Sequence, residues 1–287
     1  MKTLILKNPH SIRAAIDCRP GDVVEVVVSP DSRSALHQEV VSAAEKNGIR
    51  VTIGKSPKSG GDFSRSGRFS SKSNSKIRRR QNASQKASPR EDSRSGSGNS
   101  SQKTGRDSGL SAVVKPKRPV EFKELFQNQT GSGLWLALDC IQDPHNLGSI
   151  FRSAAFFGVR GIFMVEDRAV GLTPVVYDVA AGGVECVPHA VETNFSRALR
   201  QTPEFLDIWS IGSSEHAEKS VFELAEDDRN WLLVLGNEEK GIRPKAAEIC
   251  DFLAAIPKAP SAALESLNVS VAAGIMISAL SRNSSPG

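Results

Sequence analysis

The stretch Leu134-Trp135-Leu136-Ala137-Leu138-Asp139-Cys140-Ile141-Gln142-Asp143-Pro144-His145-Asn146-Leu147-Gly148-Ser149-Ile150-Phe151-Arg152 decides how the chain is read. Five apolar residues without alternation fit a strand buried on both faces, and the polar run that follows fits a turn. Helical spacing then runs over residues 147–157, with Gly158 as a stop. A strand, a polar turn and a helix in that order form the repeating unit of an α/β domain. Outward from it, further strand-like runs lie at 161–165, 207–211, 231–235 and 252–256. Helical patterns fall at 194–200 and 244–250, and a mostly apolar helix over 266–281 follows them. Strands alternating with helices predict a mostly parallel sheet covered on both faces, and the region 119–287 is long enough to hold its own core.

Toward the N-terminus the pattern changes twice. Residues 1–54 predict a small α/β module. Leu4-Ile5-Leu6 fits an edge strand, Asn8-Pro9 a helix start, and Val23-Val24-Glu25-Val26-Val27-Val28 a central strand. A helix over 34–47, closed by Gly48, and a strand over 49–53 complete it. Residues 55–118 carry 17 Lys/Arg against 4 Asp/Glu in a Ser/Gly-rich background, and are expected to be a disordered basic linker. Such a segment is either a solvated spacer or an electrostatic tether for RNA. The rest of the chain holds 20 basic and 28 acidic residues, so the formal net charge of +5 comes from this one segment and does not argue for a basic folded surface.

No apolar run approaches the ~18 residues of a membrane span. The apolar stretch after Met1 is too short for a signal peptide, so a cytoplasmic location is expected. Cys18, Cys140, Cys186 and Cys250 are far apart and lack ligand spacing, which predicts buried reduced thiols and no structural metal.

Three polar clusters follow predicted strands, where open α/β sheets place ligands. They are the run 139–152, the run Leu235-Gly236-Asn237-Glu238-Glu239-Lys240-Gly241, and Ile256-Pro257-Lys258 continuing to Leu264-Glu265-Ser266-Leu267-Asn268-Val269-Ser270. Each alone is explained by an Asx turn, a glycine turn or a helix cap. No G-x-G-x-x-G follows any strand, which disfavours a dinucleotide-type site.

Asn146-x-Gly148-x-x-x-Arg152, Leu235-Gly236-Asn237-Glu238-x-x-Gly241 and Ser266-Leu267-Asn268-Val269-Ser270 together resemble the three motifs of the SpoU (TrmH-like) RNA ribose methyltransferases of the SPOUT superfamily. The N-terminal module is similar to the ribosomal-protein-like RNA-binding domain found before the catalytic domain in bacterial 23S ribosomal RNA guanosine 2′-O-methyltransferases. The resemblance implies a deep trefoil knot in the C-terminal domain, a homodimer, S-adenosyl-L-methionine as cofactor, and methylation of a ribose 2′-hydroxyl. The substrate implied is large-subunit ribosomal RNA, with transfer RNA as the sister possibility. A non-catalytic RNA-binding or ribosome-assembly protein that keeps the fold is the rival of another class.

Carried over by motif, the cofactor site falls at Gly212, Leu235, Gly236, Ile256 and Leu267, with Gly236 suiting close approach of the cofactor to the chain. Ile256 and Leu267 are expected to form an apolar slot for adenine. The catalytic set is Arg152, Asn146, Glu238, Ser266 and Asn268. The resemblance makes Arg152 the candidate base, but a guanidinium stays protonated at ordinary pH. Arg152 is therefore expected to hold substrate phosphate and stabilise the developing alkoxide, or to relay a proton within a coupled network. Asn146 and Glu238 are expected to orient it and the ribose, and Ser266 and Asn268 to fix the last loop and donate to substrate. The chain departs from the family pattern at Lys258-Ala259-Pro260, where Met and Gly usually follow Ile-Pro, and at Glu239, where glycine is common.

Overall fold

The structure is a computed structural model that describes residues 3–32, 34–55, 109–127, 129–261, 263–264 and 266–281. In chain order the N-terminal elements are β1 (Leu4–Leu6), α1 (Pro9–Cys18), β2 (Val23–Val28), α2 (Ala35–Lys46), β3 (Arg50–Ile53) and β4 (Leu110–Val114). There follow β5 (Leu134–Leu138), α3 (Pro144–Phe156), β6 (Gly161–Val165), α4 (Pro174–Ala180), α5 (Gly183–Cys186), β7 (His189–Glu192) and α6 (Phe195–Gln201). The last are β8 (Trp209–Ser213), β9 (Lys219–Ser220), α7 (Val221–Leu224), β10 (Trp231–Leu235), α8 (Pro244–Ala247), β11 (Phe252–Ala255) and α9 (Val269–Leu280).

The first sheet has the order β1-β4-β2-β3. Leu4-Ile5-Leu6 sits at an edge and β2 is internal, as its β-branched run requires. α1 begins as the sequence predicts: the Asn8 side chain accepts from the His10 N–H, and Pro9 occupies the first turn. One expectation needs correcting. β4 falls in the stretch 55–118 assigned to a linker, yet it pairs antiparallel with both β1 and β2. Its two ends are fixed as well: the Ser29 N–H donates to Gly109 O at one, and the Lys115 N–H to Asp22 O at the other. Residues 56–108, on which the disorder and tether expectations rest, therefore interrupt the first sheet between β3 and β4; they lie outside the described residues.

The second sheet has the order β7-β6-β5-β10-β8-β11-β9, and every pairing in it is parallel. Alternate residues of each strand feed different layers. Leu134, Leu136 and Leu138 pack with Ile162, Leu233 and Leu235 on the layer of α3, α4 and α9. Trp135, Ala137, Phe163, Leu232 and Val234 pack with Phe195, Leu199 and Phe126 on the opposite layer, where Trp135 Nε1 donates to Leu125 O at 2.8 Å. The core of the first sheet is continuous with the α3/α4/α9 layer, and the described residues belong to one compact unit.

The strand expected at 207–211 begins two residues later, and the helix expected at 244–250 closes at Ala247. The cysteines correct another expectation, since Cys18 and Cys186 are exposed and Cys140 and Cys250 only partly buried.

Candidate active site

β10 lies between β5 and β8, so the loops after β5, β8, β10 and β11 leave the same edge of the parallel sheet. β5 leads outward to β6 and β7, while β8 and β11 lie on the other side of β10, which makes β5/β10 the point where strand order reverses. Two of the three polar clusters meet there.

The loop after β5 turns sharply: Cys140 takes a left-handed backbone (φ 62), and Asp143 caps α3 by accepting from the His145 N–H at 2.8 Å. The loop after β10 folds back on itself, with Asn237 and Gly241 exchanging two backbone hydrogen bonds of 3.0 and 2.9 Å. At Gly236 a Cβ would sit 2.1 Å from the Gly241 carbonyl carbon. The glycine expected to admit a cofactor thus admits the chain's own backbone first.

Glu238 joins the two loops. Its Oε1 accepts from the backbone N–H of Gln142 and Asp143 and from Asn146 Nδ2, each at 3.3 Å. The third cluster enters through Asn268, whose Nδ2 donates to Asn146 Oδ1 at 3.1 Å while its Oδ1 accepts from the Ser270 N–H at the start of α9. One chain of side chains, Asn268–Asn146–Glu238, therefore ties the three polar clusters together. Asn237 reinforces it by donating to Cys140 O at 3.2 Å.

A second tie was not foreseen. Asp139, fully buried, accepts from Arg243 Nε at 2.7 Å and from Nη2 at 2.6 Å. This bidentate bond holds the guanidinium protonated beyond its ordinary range. The partners are 104 residues apart, so local pattern carries no signal of the pairing. Burial, with Asp139 beside it, pushes the Cys140 thiol up.

The structure does not place every expected residue in this network. Arg152 lies further along α3, is exposed, and makes no hydrogen bond or ion pair among the described residues. Asn146 and Glu238 bond to each other, and neither bonds to Arg152 among the described residues. Ser266 is exposed without a hydrogen bond among the described residues. Leu267 is 49% exposed and Ile256 is half-buried.

The expected cofactor positions share one edge. Leu235 is fully buried at the end of β10, Gly212 lies in β8 beside it, and Ile256 follows β11. At Gly212 a Cβ would lie 2.7 Å from Leu253, 3.0 Å from Ile242 and 3.2 Å from Cys250, so this glycine, like Gly236, admits the chain's own atoms.

An all-parallel covered sheet with cross-tied loops at its switch point defines an α/β protein of the kind that places ligands at its strand ends. The SpoU rRNA Methylase family matches residues 133–278, more than half of the chain, and the chain belongs to that family. Among curated relatives, a 23S rRNA (guanosine-2'-O-)-methyltransferase RlmB of Nitrosomonas europaea is 40% identical over 175 residues, 61% of this chain and 66% of that protein. The RlmB of Coxiella burnetii is 43% identical over 153 residues, 53% of this chain and 60% of the relative. That of Pseudomonas aeruginosa is 36% identical over 181 residues, 62% of this chain and 71% of the relative. The chain thus matches less than two thirds of the length of the first two. The SpoU methyltransferase AviRb from Streptomyces viridochromogenes, solved with AdoMet, shares the fold with a TM-score of 0.67 at 19% identity, covering 98% of this chain and 89% of its own.

Proposed function

We propose that this protein is an S-adenosyl-L-methionine-dependent RNA methyltransferase that methylates the ribose 2′-hydroxyl of a guanosine in large-subunit ribosomal RNA. The observation that carries this reading is the Asn268–Asn146–Glu238 chain, which joins the three motif loops in a member of the SpoU family. Relatives at 36–43% identity are named for that reaction.

Membership of the family and the convergence of these loops at one sheet edge support the cofactor reading. Gly212, Leu235, Gly236 and Ile256 would hold the cofactor at the ends of β8, β10 and β11, with Leu267 on the loop before α9. S-adenosyl-L-methionine supplies an electrophilic methyl carbon when bound. The chain supplies alignment and charge. Arg152, its side chain free of internal partners among the described residues, binds an RNA phosphate and stabilises negative charge on the ribose oxygen as the hydroxyl proton passes to water. Asn146 and Glu238 fix the floor of the ribose site, Asn268 locks the third loop to it, and Ser266 donates to substrate from that loop.

The trefoil knot is the form expected of a member of this family. A homodimer is supported by apolar side chains left in water around α3 and α9: Phe156 at 82%, Leu264 at 77% and Val271 at 50% exposure. The first sheet with α1 and α2 is read as the RNA-binding domain. A cytoplasmic location goes with a ribosomal RNA substrate. No helix among the described residues is long and apolar enough to cross a membrane.

The test is methyl transfer from radiolabelled S-adenosyl-L-methionine to unmodified large-subunit ribosomal RNA and to transfer RNA. Label resistant to alkaline cleavage in the ribosomal RNA is the expected result. Label in transfer RNA alone would move the substrate to the sister class. No label in naked RNA or in ribosomal precursors, with the cofactor bound, would leave a non-catalytic RNA-binding protein.

A further inference from the structure

The first sheet and its helices do more than sit beside the site: they grip the one-turn helix α5. Arg19, at the end of α1, donates to Glu185 through Nε at 2.6 Å and Nη2 at 2.8 Å. The Glu185 side chain is fully buried and that of Arg19 is 13% exposed. Lys117, just after β4, spreads its Nζ over the carbonyls of Val184, Glu185 and Val187 at 2.8, 2.9 and 2.9 Å. Its backbone N–H donates to the Tyr177 hydroxyl at 2.8 Å. Asp178 of α4 accepts from the N–H groups of Lys7 and Asn8, each at 2.9 Å.

The other side of α5 rests on the helix that carries Arg152. At Gly183 a Cβ would lie 2.5 Å from Phe151 O and 3.0 Å from Arg152 Cα, so the two backbones touch at that turn. A four-residue helix has no stability of its own. Its position is set by what holds it: α1 and Lys117 on one side, α3 on the other, and α4 next to it.

We infer that Arg19, Glu185 and Lys117 are positioning residues for methyl transfer, acting through α5 on the turn of α3 that presents Arg152. The inference rests on the role given to Arg152 above and assigns the N-terminal region a part in turnover besides any part in RNA binding. Its logic is mechanical. Arg152 makes no hydrogen bond or ion pair of its own among the described residues, so its placement depends on the backbone beneath it. That backbone packs against α5, and α5 is held in turn by the bidentate Arg19–Glu185 pair and by Lys117.

The experiment uses the full chain with Arg19→Met, Arg19→Lys and Lys117→Met. The last removes the fan over the carbonyls without stranding a buried carboxylate, and serves if Arg19→Met does not fold. Three quantities are read: cofactor Kd by calorimetry, kcat and KM with ribosomal RNA, and amide hydrogen exchange along α3 and α5. Arg19→Met is expected to lower kcat about 10-fold, since a small displacement of a reacting group is costly, with KM and cofactor Kd within twofold of wild type. Exchange at 150–156 and 183–187 should rise, and Arg19→Lys should recover part of the lost rate. A raised KM with kcat unchanged, or unaltered exchange in α3, would overturn the inference and leave the N-terminal region an RNA-docking element only. If wild type methylates no RNA, the functional reading falls, and the exchange data alone still decide whether the clamp governs the Arg152 turn.

Discussion

Helix α3 carries two functional positions built in opposite ways. Asn146, in its first turns, is buried and bonded on both sides, to Glu238 and to Asn268, so the three motif loops are cross-tied within a single chain. Arg152, further along, is exposed and bonded to nothing among the described residues, yet the backbone under it is packed against α5. The first region is a finished frame. The second is a charge held out on a fixed mount. The difference fits a site whose loops are set before any ligand arrives and whose guanidinium finds its partner in the substrate.

Changes on the frame should cost stability. The largest effect is expected from Arg243→Met, which strands the Asp139 carboxylate in the core; with Arg243 itself partly open to solvent, we expect about 3 kcal/mol, at the low end for a broken buried pair. Chemical denaturation measures it, and a loss under 1 kcal/mol would show that this tie does not hold the frame. Gly236→Ala comes next, since the added Cβ collides with backbone at 241–242; a loss of roughly 2–3 kcal/mol is expected, with weakened cofactor binding by calorimetry.

The Arg152 region has its own handle in pH. His189 is buried, its Nδ1 has no partner among the described residues, and its ring meets Phe151 edge-on at 6.3 Å. Burial, with the Lys117 charge adding to it, pushes its pKa down from 6.5 to about 4. The unfolded chain then binds the extra proton between those values, so stability is full above about pH 6.5 and is lost as pH falls toward 4. Between pH 7 and pH 5 the loss is about 2 kcal/mol, and His189→Leu should flatten the profile. An unchanged slope in the variant would assign the acid sensitivity elsewhere. The smallest effect is expected for Glu238→Gln, which keeps the shape and loses the charge of an acceptor shared by three donors: about 1 kcal/mol in stability and roughly a 5-fold fall in turnover.

Much of the fold was readable locally. The unbroken apolar runs of β5, β6 and β10 and the Asn8-Pro9 start of α1 carry their own signals. β4 did not, because Leu110-Ser111-Ala112-Val113-Val114 acquires its partners only across the long basic insertion, and strand pairing at that separation leaves no periodic trace. α5, β7 and β9 were missed because four, four and two residues are too short to show a period. Within the site, the motif residues were legible by type and order, but not their contacts. Asp139–Arg243 and Arg19–Glu185 are long-range pairs, and the neighbour that Gly236 admits is the chain itself.

The central claim is that frame and charge are separable, and it is tested most directly on Arg152→Ala by measuring cofactor affinity and single-turnover methyl transfer to ribosomal RNA on the same preparation. The account predicts a cofactor Kd within twofold of wild type and a transfer rate lower by about 10²–10³-fold. A Kd that weakens in step with the rate, or a rate that does not change, would contradict it.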